Sequence, residues 1–300
     1  MSSAIFLCDL RATFAIFAVK GFSFLNPDSA PRPHPLQSTL CQEPGALSRV
    51  GGLCGNTTFR KTIVSSSAVA DKAQAFVESV LRLEPRFAAF DCDGTLWSGD
   101  AGESFFSWEM EEKLVPEEVA SAMRKRYADY KAGKVPEDVM CGEMVTMHKG
   151  MIESDVQRAA TRFFDLHFAE KIFPEMRTLV RQLQEQGCDV WAVSSTNEWV
   201  IRAAMRHFGI PRDHVLAAAV KISKMRITDR LIRIPSGDGK PKAIRKAVKK
   251  KLDAAFGNSR WDADMLAIAR HPFAVNPNPD LEAIARERNW TVYFPEDPSP

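Results

Sequence analysis

Two carboxylates stand two residues apart in Asp91-Cys92-Asp93-Gly94-Thr95, directly after the apolar run Phe87–Phe90. Side chains at i and i+2 of an extended chain point the same way, so Asp91 and Asp93 project toward one site. Gly94 permits a sharp departure from the strand. Two converging carboxylates repel unless a cation lies between them or one keeps a proton. The pair therefore calls for a hard divalent cation such as Mg2+, for split protonation states, or for both. Alone, the same residues are equally compatible with a simple turn or a weak calcium loop.

Three later groups bear on that choice. Ser194, Ser195 and Thr196 follow the apolar run Val190–Val193 and precede a helix expected from about Glu198. Hydroxyls and free N–H groups at a helix start make an anion site, or merely an N-cap. Lys240 lies in Gly237-Asp238-Gly239-Lys240, a glycine-rich loop before a helix expected over 242–252. It is either a lone charge aimed at an anion or one more member of a basic face, since seven cations fall between Lys240 and Lys251. Asn258 and Asp262, in Gly257-Asn258-Ser259-Arg260-Trp261-Asp262, follow a third apolar run and offer two oxygen-bearing side chains. The alternative there is an Asx turn.

The elements that must position these groups alternate. Short apolar runs at 87–90, 190–193, 254–256, 273–275 and 291–294 read as strands buried on both faces. Helical patterns at 174–186, 198–208, 242–252, 263–269 and 279–288 lie between them, and another begins near Ser67. This rhythm predicts an α/β fold, a doubly wound parallel sheet, in which function gathers beyond the carboxyl ends of the strands. Residues 99–172 break the rhythm with four helical patterns and no strand: 102–113, 116–132, 136–149 and 154–170, the last with Ser154 as its expected N-cap. That is too much chain for one crossover and predicts an inserted all-helical cap. The expected organisation is an extension over 1–68, an α/β core over 69–98 and 173–300, and a cap over 99–172.

In order and spacing, Asp-x-Asp-Gly-Thr-Leu, the serine, the lone lysine and Gly-Asn-Ser-x-x-Asp resemble the haloacid dehalogenase superfamily of phosphohydrolases. The resemblance spans about 84–294, and an all-helical cap between the first two motifs is similar to the phosphoserine-phosphatase-like branch. Ile227–Leu231 and Val275-Asn276-Pro277 are also similar to members of that branch. It implies Asp91 as a nucleophile forming an aspartyl-phosphate, Asp93 as general acid and then general base, Ser194 as a hydrogen-bond partner of the transferring phosphoryl, and Lys240 as its counter-charge. It implies Mg2+ held by the Asp91 carboxylate, the Asp93 carbonyl and the side chain at 258, with Asp262 in support. The commoner residue at 258 is aspartate. Asn258 loses one negative charge and predicts weaker metal binding, which Asp262 or Asp264 would offset.

The expected reaction is Mg2+-dependent hydrolysis of a small phosphorylated metabolite, with phosphoserine or a related amino-bearing phosphate first. Asp100 and Glu103 would meet the substrate's cationic group, or else decorate a helix N-terminus; Ser195 and Thr196 would assist in binding. Trp97, Phe105, Phe106 and Trp108 would wall a pocket for a quaternary ammonium such as phosphocholine, or else pack the cap. A phosphotransferase with the same site and a non-catalytic phosphate-binding relative are the other readings.

Composition narrows the classes. The 300 residues are 45% hydrophobic and 26% charged, enough apolar surface for a sizeable core. Residues 1–70 hold six basic and three acidic side chains, leaving 71–300 with a net charge of −1. This predicts no nucleic-acid partner. No apolar run is long enough to span a membrane, and the sequence assigns no oligomeric state. The six cysteines form no C-x-x-C pair, so free thiols and a cytoplasmic setting are expected. The Ser-rich, acid-poor first seventy residues are read as an organellar transit segment or as an extension without function.

Overall fold

The structure, a computed structural model, describes residues 66–296 and 298. The expectations for the N-terminal extension lie almost wholly outside these residues. Among the described residues, no helix is long and apolar enough to cross a membrane, and Cys92, Cys141 and Cys188 are free thiols.

Seven strands form one sheet: β1 (Phe87–Phe90), β2 (Asp189–Asn197), β3 (Val215–Ser223), β4 (Arg226–Arg233), β5 (Ala254–Gly257), β6 (His271–Val275) and β7 (Thr291–Tyr293). Their order is β4-β3-β2-β1-β5-β6-β7, parallel throughout except for β3–β4. The two halves of the sheet part at β1, which puts Asp91 and Asp93 at the centre of its carboxyl edge. Alternation along β1 builds two cores. Ala88 and Phe90 face one, with residues of α1 (Ser66–Leu81), α6 (Pro174–Glu185) and α7 (Glu198–Met205). Phe87 and Ala89 face the other, with α8 (Gly239–Ala247), α9 (Ala263–Ala267) and α10 (Pro279–Glu287).

The insertion between β1 and β2 is all helix, as expected: α2 (Ala101–Glu111), α3 (Glu117–Lys131), α4 (Glu137–Thr146) and α5 (Glu153–His167). It shares the sheet's core through Phe105, Val145, Phe163 and Phe164. A smaller core of its own gathers Phe106, Met110, Met123 and Met140.

Three sequence expectations need correction. Strands β3 and β4 were not read from the sequence. Val215–Val220 has three alanines at its centre, which dilute the strand preference of its two valines; burial beside β2 makes the segment a strand. The hairpin turns at Lys224-Met225, both at positive φ (50° and 63°), as a two-residue hairpin turn requires. Beyond the turn, Gly150 N donates to Ile227 O and Ile227 N to Met151 O at 2.8 and 2.9 Å, so the α4–α5 link pairs with this hairpin. Helix α8 starts three residues earlier than expected, with Lys240 inside its first turn, and gives way at Val248 to extended chain. Helix α5 is preceded by Ile152 as its N-cap without a side-chain bond; Ser154 lies inside the helix.

Candidate active site

The carboxyl ends of β1, β2 and β5 and the first turn of α8 converge on one cleft of about 620 Å³. Asp91, Asp93, Ser194, Lys240 and Asn258 all line it, so residues scattered over 168 positions of sequence share one cavity. Asp262 lies directly behind them, fully buried.

Asp91 leaves the end of β1 with its N–H bonded to Phe256 O at 2.8 Å. Its Oδ1 accepts from Lys240 Nζ at 2.6 Å and its Oδ2 from Thr95 Oγ1 at 2.8 Å. Lys240 is 2% exposed, and its three donors are all used: Asp91 Oδ1, Asp262 Oδ1 at 2.5 Å and Val193 O at 3.1 Å. Burial opposes the ammonium, but Asp262 and Asp91 outweigh it and hold Lys240 charged well above the usual lysine range. Burial and the Asp262 charge raise Asp91, and Lys240 and Thr95 counter part of this.

Asp93 is held differently. Its Oδ1 accepts from Trp97 Nε1 at 2.9 Å and from Ala101 N at 2.6 Å, and its Oδ2 from Thr196 Oγ1 at 2.7 Å. Burial, reinforced by Asp100, pushes its carboxyl up to about 8 despite these donors. The two carboxylates therefore differ: Asp91 is gripped by a cation, while Asp93 favours the protonated form near neutral pH.

Asp262 closes the third loop. Its Oδ2 accepts from Asn258 N, Ser259 N and Ser259 Oγ at 3.0, 2.9 and 3.1 Å, and its Oδ1 holds Lys240. Both oxygens are thus committed, so Asp262 supports the site by fixing the turn that presents Asn258. Asp264 sits in the first turn of α9. The Asn258 amide rests against Gly94, where a Cβ would collide with it and where φ is +74°. Glycine is required at 94 both for the turn and for this close approach.

The β2 end departs from expectation. The strand does not stop at Ser194 but runs to Asn197, with an irregular register between Val193 and Asn197. Asn197 then caps α7, its side chain accepting from Val200 N at 3.0 Å. Ser194 Oγ accepts from Thr196 N at 3.1 Å. Thr196 spends its hydroxyl on Asp93, and Ser195 lines the cleft. Asp100 and Glu103 both reach the wall. Asp100 is the N-cap of α2, its Oδ1 accepting from Glu103 N at 2.8 Å, and Glu103 meets Lys131 Nζ at 3.1 Å.

The aromatic box is not formed. Trp97 and Phe105 are fully buried, Phe106 lies in the cap's own core, and Trp108 stacks on Phe105 and packs at a tilt against Phe163. The aromatic side chains that do line the cleft are Tyr127, Tyr130 and Trp261. Sequence reading missed the two tyrosines, Glu137 and the ordering role of Thr95. Only Thr95, inside the first motif, carried a signal. The others depend on how α3 and α4 pack.

As for a divalent cation, no group of three His, Cys, Asp or Glu side chains is gathered among the described residues. The oxygens that could hold such an ion are the Asp91 carboxylate, the Asp93 carbonyl and the Asn258 amide. These are hard oxygens, few in number, which suits an ion that keeps waters and substrate oxygens in its shell.

A family model described as haloacid dehalogenase-like hydrolase matches residues 88–267. The histidinol-phosphatase of Neisseria meningitidis serogroup C (strain 8013) is 25% identical over 216 residues, 68% of this chain and 96% of that protein. The phosphoserine phosphatase SerB1 of Mycobacterium tuberculosis (strain ATCC 25618 / H37Rv) is 26% identical over 181 residues, 58% of this chain and 52% of that protein. Among solved structures, a protein of unknown function from Bordetella pertussis Tohama I matches with a TM-score of 0.59 at 21% identity, covering 70% of this chain and 98% of that one. A functionally unknown protein from Anaerococcus prevotii DSM 20548 matches at 0.53 and 15% identity, covering 70% and 85%. These structural likenesses show the fold. Together with the family match over more than half the chain, they lead to one statement: this chain belongs to the haloacid dehalogenase-like hydrolase family.

Proposed function

We propose that this hydrolase is a Mg2+-dependent phosphomonoesterase acting on a small phosphorylated metabolite that carries an amino group. The observation that carries this reading is the unlike holding of two neighbouring carboxylates, Asp91 by Lys240 and Thr95, and Asp93 by Trp97, Ala101 N and Thr196.

Asp91 attacks phosphorus in line. Its oxygen–phosphorus bond forms as the bond from phosphorus to the substrate alcohol breaks. Asp93, raised to about 8, gives its proton to the departing alcohol oxygen. The Asp93 carboxylate so produced then takes a proton from the water that attacks the aspartyl-phosphate, releasing phosphate and restoring Asp91. Lys240 keeps positive charge beside Asp91 and the transferring group, and the Ser194 hydroxyl lies on the same floor to meet a phosphoryl oxygen. Mg2+, held by Asp91, the Asp93 carbonyl and Asn258, would neutralise phosphoryl oxygens when bound. Residues 99–172 act as the cap over this floor, with 69–98 and 173–300 as the core.

Asn258 favours one second reading, a phosphate-binding relative without turnover. Both are tested by p-nitrophenyl phosphate hydrolysis with and without Mg2+, comparing the wild type with Asp91→Asn. The enzyme reading expects Mg2+-dependent turnover lost by at least about 10³-fold in the variant. Equal, near-zero rates would support the binding protein.

A further inference from the structure

The reaction accounts for the floor of the cleft but not for its cap-side wall. Asp100, Glu103 and Glu137 contribute carboxylates to that wall. Asp100 caps α2, and Glu103 pairs with Lys131. Glu137, in the first turn of α4, has no such occupation. Its Oε1 accepts from Ser236 Oγ at 2.9 Å. The cations of this region are committed elsewhere, Lys131 to Glu103 and Lys240 to Asp91 and Asp262. Burial pushes the Glu137 carboxyl up to about 7, with Ser236 and Lys240 offsetting only part of this. A carboxylate left so is poised for a cation that the chain itself does not supply.

The surroundings agree. Tyr127 and Tyr130 line the same wall with ring centroids 5.6 Å apart, and tyrosine faces attract cations, as the Lys131 ammonium 5.3 Å over the Tyr127 ring shows. Lys240 is the one cation among the described residues that line the cleft, and it belongs to Asp91 and the phosphoryl group. A second anion on the substrate would therefore face carboxylates, and the Lys131 ammonium near them is already paired with Glu103.

A plainer role for Glu137 is also available. An acid in the first turn of a helix suits the macrodipole, and the bond to Ser236 ties α4 to the segment before α8. A glutamine would serve that tie equally well, so charge is the property to test.

We propose that the cleft selects phosphomonoesters whose alcohol part carries an organic cation and no carboxylate, with Glu137 as the specificity-determining residue that receives the cation. This rests on the phosphomonoesterase reading above and narrows it.

The test compares kcat/KM for O-phosphoethanolamine, O-phosphoserine and glycerol phosphate, with p-nitrophenyl phosphate as the reporter of chemistry. The wild-type chain is expected to prefer phosphoethanolamine over both glycerol phosphate and phosphoserine by about tenfold or more. Glu137→Gln should cut the phosphoethanolamine-to-glycerol phosphate ratio about tenfold, chiefly through KM. Ser236→Ala, which removes the tie and leaves the charge, should preserve the ratio. Phosphoserine hydrolysed as efficiently as phosphoethanolamine overturns the proposal, and so does Glu137→Gln lowering all esters by the same factor. Turnover of p-nitrophenyl phosphate without cation preference defeats this inference alone. Absence of turnover on every ester defeats the phosphomonoesterase reading with it.

Discussion

Lys240 Nζ lies between two buried carboxylates, 2.6 Å from Asp91 Oδ1 and 2.5 Å from Asp262 Oδ1. One ammonium thus couples the end of β1 to the turn after β5, and with Val193 O it also touches β2. Removing one member of a buried ionic group leaves the others uncompensated, typically at about 3–5 kcal/mol. Lys240→Met should lose stability of that order in urea unfolding, and p-nitrophenyl phosphate turnover should fall about 10²–10³-fold. A variant as stable as wild type would show that the two carboxylates do not depend on this lysine.

Asp93 is aimed by neighbours rather than by charge. Thr196→Val removes the 2.7 Å bond to Oδ2, and Trp97→Phe removes the 2.9 Å bond to Oδ1. Each should cost about 1 kcal/mol of stability. Each should also lower kcat about tenfold or more with little change in KM, because an acid out of line affects the transition state more than binding. A change confined to KM would move these residues from orienting Asp93 to holding substrate.

The Gly94–Asn258 contact predicts how Mg2+ dependence responds to mutation. Gly94→Ala would force a Cβ onto the Asn258 amide at a positive φ, so the Mg2+ concentration for half-maximal activity should rise. Asn258→Asp restores a negative charge among the donors and should lower that concentration about tenfold. Titrating activity with Mg2+ reads both effects. The Asn258→Asp prediction fails if the half-saturation point does not move.

Glu137 should make stability depend on pH. Its folded-state pKa is raised to about 7 from 4.5, so between those values the folded chain holds more protons than the unfolded one. Stability contributed at this site therefore falls as pH rises through that window. Glu137→Gln removes the penalty. It should stabilise the protein by about 1–2 kcal/mol at pH 8, allowing for residual solvent contact, and the gain should vanish as pH falls toward 4.5. Melting temperatures of both forms across this range provide the check. A less stable variant at pH 8 would mean that the carboxylate is paired in solution.

Much of this molecule could be read from its chain, and the readable parts share a cause. Strands buried on both faces are written as uninterrupted apolar runs, as in Phe87–Phe90 and Ala254–Phe256. A carboxylate pair two apart after such a run must converge. Asp91, Asp93, Ser194 and Asn258 were legible because each follows an apolar strand run whose end faces one edge of the sheet, and Lys240 because it stands in a glycine-rich loop before a helix. The β3–β4 hairpin was not legible. Val215–Val220 is extended because β2 lies beside it, and β4, with Arg226, Asp229, Arg230 and Arg233, reads as a polar segment until an edge position makes it a strand.

The sequence by itself determined which residue types stand at the strand ends, and with them the chemistry of the floor, because strand periodicity is local. Only the tertiary structure decided what those residues do to one another. It committed Thr196 to Asp93, turned Asp262 inward to Lys240 and the 258–259 turn, and buried Trp97. It also brought Tyr127, Tyr130 and Glu137 over the cleft. These relations depend on how helices pack across the sheet. The cation that sets Asp91 apart from the equally buried Asp93 is Lys240, remote from it in sequence, and no local pattern records that pairing.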